Sequence, residues 1–126
     1  MSLRELEQID LLAVEKETGY VHLIIADEED WSDEEEHVSL LIEKIYAYLG
    51  VIESGAIYEM YPDAKGRQFV ISIHGKYRCT EYGEEFFEKT EEIVMKAGYG
   101  FQYIHKPHEE GDNLAKKTFK SHSHEL

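Results

Sequence analysis

The chain has 126 residues, with 27 Asp and Glu against 13 Lys and Arg, for a formal net charge of −14. Such a surface repels phosphate backbones and anionic headgroups, so neither nucleic acid nor membrane is expected as a partner, and a basic protein is the complementary one. The length predicts a single domain, and the lone cysteine, Cys79, leaves no disulfide within the chain and predicts a reducing compartment.

In chain order, residues 8–15 alternate, with Ile9, Leu11 and Ala13 on one face and Leu12 and Val14 on the other. Lys16 to Gly19 reads as a turn. VHLIIAD (21–27) follows, with Val21, Leu23 and Ile25 on one face. Two apolar runs about a short Gly-containing turn predict a β-hairpin.

Next comes DEEDWSDEEEH (27–37), in which eight of eleven residues are acidic. Ser32 and Glu35 have the spacing of a capping box. Asp33, Glu34 and Glu35 then fall in a first turn, where the helix dipole favours negative charge. Trp31 stands just ahead, placed to pack on that turn as a hydrophobic staple does. Beyond it, Val38, Leu41, Ile45, Tyr48, Leu49 and Ile52 recur in steps of three and four, which predicts a helix ending at Gly55.

YPDAKGR (61–67) carries turn chemistry. RQFVISIHGKY is the clearest strand, with Phe69, Ile71 and Ile73 opposite Val70, Ser72 and His74. Thr80 is placed to cap a second helix, and Gly98 to stop it. Its expected buried stripe is Tyr82, Phe86, Thr90, Ile93, Val94 and Ala97, with Phe87 alongside. Gly83 weakens its first turn. YGFQYIH (99–105) is a last strand. The domain is expected to span 1–105, and 106–126 reads as a flexible polar tail.

The element order β-β-α-β-α-β, joined by right-handed crossovers, predicts an α/β two-layer sandwich. It has a four-stranded mixed sheet with two helices on one face. The open face is expected to carry Leu12, Val14, Ile24, Val70 and Ile104, mixed with Asp10, His22, Ser72 and His74. A half-apolar face of that kind docks something, and a homodimer through it is one expectation.

From Ile9 to about Tyr103 the chain resembles a family of small bacterial proteins classed only as a domain of unknown function. Three stretches carry the resemblance. They are Asp30-Trp31-Ser32 with Glu36-His37, Ile52-Glu53-Ser54-Gly55, and Tyr61-Pro62-Asp63-Ala64-Lys65-Gly66-Arg67. It implies no reaction, cofactor or catalytic residue.

The acidic run lacks the glycine of a calcium loop, and its carboxylates diverge along a helix, so no metal or cofactor is expected. The histidines at 105, 108, 122 and 124 offer only a weak, incidental metal contact. His22, Ser72 and His74, with an acid such as Asp10, make a Ser–His arrangement without a nucleophile-elbow motif, so no catalytic residue is assigned. Cys79 precedes a helix start that lowers a thiol pKa, against the opposing charge of Glu81 and Glu84.

The expected function is that of a cytoplasmic, non-enzymatic acidic interaction protein. Asp27, Glu28, Asp30, Trp31, Asp33 and Glu34 would receive a basic partner such as a toxin or nuclease, with Trp31 as anchor. The alternative is a small ligand-binding or enzymatic domain. It would use His22, Ser72 and His74 on the sheet, or Tyr61, Lys65 and Arg67 in the 61–67 loop. In that loop the two cations would pair with the 27–36 acids or meet a ligand.

Overall fold

The first hairpin pairs β1 (Leu11–Val14) antiparallel with β2 (Val21–Asp27) across a turn in which Gly19 takes φ 77°. The computed structural model describes residues 11–106. α1 (Glu34–Glu53) crosses over and hands on to a short α2 (Ala56–Met60) and a 3-10 turn (Pro62–Ala64). Then come β3 (Phe69–Gly75), α3 (Glu81–Lys96) and β4 (Gly100–His105). The sheet order is β1-β2-β3-β4, with β2, β3 and β4 parallel. The mixed α/β sheet is as expected, but the described residues form three helices and the order is β-β-α-α-β-α-β. α2 has only five residues, too few to show a helical period.

The core lies between sheet and helices. Val21, Leu23, Ile25, Phe69, Ile71, Ile73 and Phe101 meet Leu41, Ile45, Tyr48 and Ile52 of α1, Ile57 of α2, and Phe87 and Val94 of α3. Each such apolar side chain contributes about 1.5–3 kcal/mol by leaving water.

Three expectations about faces are corrected. Leu12 pairs with Leu23 and Val14 with Val21. Directly opposed residues share a face, so both point toward the helices, where they pack on the core. On α3 the buried stripe is Gly83, Phe87, Thr90 and Val94, whereas Tyr82 and Ile93 are exposed. The stripe is thus turned one residue from the expected one. The face away from the helices is not open: Ile24, Val70 and Ile104 are buried along with His22 and Ser72. Asp10, and the expected tail from 107 onward, lie outside the described residues.

Candidate functional site

The acidic run begins at the carboxyl end of β2, and its first residue is not a surface charge. Asp27 is buried, and His37 Nε2 donates to its two carboxylate oxygens at 2.8 and 2.7 Å. Asp27 Oδ1 also accepts the Glu29 N–H at 3.1 Å. Trp31 stacks on the His37 ring with centroids 3.7 Å apart and meets Phe87 edge-on at 6.2 Å. A Cβ built on Gly83 would stand 2.8 Å from Trp31 Cη2. The glycine that weakens the start of α3 is therefore the seat of the indole.

Asp27 and Trp31 are thereby removed from the expected docking surface, since Trp31 is only 9% exposed. Of the same set, Glu28, Asp30 and Asp33 are exposed and Glu34 is half-buried. The helix cap also differs from expectation. Ser32 donates its hydroxyl to Asp30 Oδ1 at 2.6 Å, and Asp33, one residue later, accepts the Glu36 N–H at 3.1 Å as the N-cap. The Ser32 side chain and then its backbone hold the Asp30 carboxyl below the usual range.

Sequence reasoning missed two buried polar residues of α1, His37 and Lys44. The signal was present. Stepping back from Ile52 through Tyr48, Ile45 and Leu41 arrives at 37, and Lys44 adjoins Ile45 on the same stripe. Lys44 Nζ lies 5.5 Å from the Tyr48 ring centroid.

The Ser–His arrangement does come together, but inside the protein. Gln102 Nε2 donates to Ser72 Oγ at 2.9 Å. With His22 Nε2–H donating to Glu15 Oε1 at 3.0 Å, a neutral ring accepts the Ser72 hydroxyl at Nδ1, also at 2.9 Å. Glu15 takes the role expected of an acid such as Asp10. The chain of donors needs a neutral imidazole, in keeping with burial lowering the His22 pKa against the opposing pull of Glu15. His22 and Ser72 are both 0% exposed. The hydroxyl is therefore closed off from solvent, and the network links β2, β3 and β4 to Glu15, just past the end of β1. His74 lies on the same face but accepts from Lys106 Nζ at 2.9 Å.

The 61–67 loop sits elsewhere. Val21 pairs with Phe69 at one end of the parallel strands and Asp27 with Gly75 at the other, so this loop and the acidic run occupy opposite ends of the sheet. The expected pairing of Lys65 and Arg67 with the 27–36 acids is not formed. Arg67 instead donates Nε to Asp63 O at 2.9 Å and Nη1 to Gly19 O at 3.1 Å, clamping two turns. Lys65 is exposed and Tyr61 half-buried. The Cys79 thiol is pushed up, first by burial and then by Glu84.

A further feature lies between the helices. Ile42, Ile45, Tyr46 and Leu49 of α1 face Phe86, Thr90, Ile93 and Val94 of α3 across an apolar groove of about 150 Å³, with Lys89 at its edge. Tyr46 and Ile93 are 62% and 57% exposed. α3 carries six glutamates against two lysines. Among the described residues no three His, Cys, Asp or Glu side chains converge to hold a metal ion, and no helix is long and apolar enough to cross a membrane.

A family model matches residues 1–107, which takes in every described element. The chain belongs to DUF6572, a family of unknown function. The likeness carried by the Asp30-Trp31-Ser32 and Tyr61–Arg67 stretches is thus a family relationship. Both stretches are structural as built: the first holds the indole on His37, the second the turn clamped by Arg67. No curated protein and no solved structure matches the chain. For this DUF6572 chain, function rests on the geometry alone.

Proposed function

We propose that the protein is a non-enzymatic acidic interaction module that binds a basic amphipathic segment of a partner protein. The observation that supports it best is the apolar groove between α1 and α3 on a glutamate-rich helical surface. A groove of this shape receives the apolar face of a helix. The surrounding glutamates, within a chain of net charge −14, favour lysine and arginine on the partner's outer face and speed encounter. Neutralising a basic toxin or nuclease is one role that fits this chemistry. An enzymatic reading has less support, because the Ser72 hydroxyl is spent on an internal network.

The test is titration with a designed helix bearing a leucine face and a lysine face, with a glutamate-faced version as control. The lysine peptide is expected to bind. Tyr46→Ala and Ile93→Ser are expected to remove binding while leaving the fold intact. Equal binding of both peptides, or undiminished binding by the variants, contradicts the proposal.

A further inference from the structure

We propose, resting on the groove reading above, that the groove between α1 and α3 has an occupant within this chain. The segment 114–120 seats there and yields to a basic partner. Beyond the described residues the sequence continues from Pro107 as PHEEGDNLAKKTFKSHSHEL. At helical spacing, Leu114, Ala115, Thr118 and Phe119 share one face, and Lys116, Lys117 and Lys120 share the other. Asp112 and Asn113, just ahead, are residue types that start a helix. No Asp or Glu occurs from 114 to 124, in a chain that has 27 of them. An apolar face backed by lysines is the chemistry that the groove asks of a partner.

The groove offers the complement. Ile42, Tyr46 and Ile93 expose apolar surface along it. Three or four residues apart on their helices, Glu43 neighbours Tyr46, and Glu85 and Glu92 neighbour Lys89; all three glutamates are exposed. The segment also reaches. Lys106 donates its N–H to Gly75 O at 2.7 Å, so the chain leaves from the carboxyl end of β3 and β4. α3 packs on β4 and, following β3, starts at that same end. From Glu81 to Phe86 is about 8 Å along the helix axis, and crossing the helix adds its diameter of about 10–12 Å. From Lys106 to Leu114 the chain spans up to about 26–29 Å. A tether this short holds the segment at millimolar effective concentration, so even a weak contact is populated.

The test is methyl NMR of the full chain, reading Ile42 and Ile93 in the groove and Ile24 and Ile104 on the far sheet face. Phe119→Ser is one variant; Lys116→Glu, Lys117→Glu and Lys120→Glu together make the other. Each is expected to move the two groove signals and leave the far ones in place. Each is also expected to tighten binding of the lysine-faced helix about two- to ten-fold, as an occupant at millimolar effective concentration is lost. In the unaltered chain the signals are expected to hold their positions on dilution, as a contact within one chain does. Groove signals indifferent to both variants overturn the proposal. So do signals that change on dilution, which place the segment on a second copy, and a move of Ile24 and Ile104 in place of the groove pair. The two readings fail separately. A lysine-faced helix that binds the unaltered chain and both variants alike removes the segment and keeps the groove as a partner site. Groove signals that answer to the variants, with no binding of that helix by any form, contradict the partner reading and keep the segment.

Discussion

At the scale of single residues, the Trp31 contacts make the sharpest claims. An alanine at an exposed helix position usually gains up to ~1 kcal/mol over glycine. At position 83 the added methyl meets the indole at 2.8 Å. Gly83→Ala is therefore expected to lose about 1–3 kcal/mol through overpacking. Urea denaturation checks this, and a gain in stability would show that the indole has room to move. The Asp27–His37 pair makes a second claim. Both side chains are 1% exposed, so removing one partner strands the other without water. Asp27→Ala is expected to cost about 3–5 kcal/mol, far more than Glu28→Ala on the exposed side of the same loop. Near-equal denaturation midpoints for the two variants would contradict this.

At the scale of elements, the sheet face away from the helices carries a pH dependence. His74 is pushed down to about 3, first by burial, then by the Lys106 ammonium and by His22. Burial lowers His22 as well. The unfolded chain takes up these protons near the ordinary value of 6.5 while the folded chain refuses them. Stability is thus complete above that value and falls as pH drops from there toward about 3. The urea midpoint is expected to be lower at pH 5 than at pH 7, and His74→Asn to shrink the difference. An unchanged or higher midpoint at pH 5 would refute this.

Most elements were legible in the sequence. VHLIIAD and FVISIHG are β-branched runs bounded by turn residues, and they form strands over Val21–Asp27 and Phe69–Gly75. Thr80 caps α3 through the Gly83 N–H, as its spacing implied. What sequence reasoning lost were contacts between elements. The strand periodicity of β1 gave two faces without saying which one meets the core; the antiparallel register with β2 decides that. The helix start was misplaced by one residue because Asp30, Ser32 and Asp33 compete for the cap, and the Asp30 turn takes the serine. Asp27 and Trp31 looked like surface because neither the His37 partner nor the Gly83 seat is adjacent in sequence. The Ser–His pair was legible as neighbours on one face, but its burial was not, and neither was the groove, which needs two helices side by side.

At the scale of the molecule, the excess of acid is distributed over the helical layer, while the buried carboxylates are hydrogen-bonded. Asp27 has His37, and Glu15 has His22. What remains is an acidic exterior interrupted by the exposed rings and branches of Tyr46, Ile42 and Ile93. A chain selected only for solubility has no need of that apolar line between glutamates, and an interaction module does. The most direct test is calorimetric titration of the full chain with the lysine-faced amphipathic helix at about 0.1 M and about 1 M salt, where screening lengths are ~10 and ~3 Å. Saturable one-to-one binding is expected at low salt, weakened at high salt and lost in Tyr46→Ala. Absence of binding at low salt, or binding indifferent to both salt and Tyr46, would contradict the account.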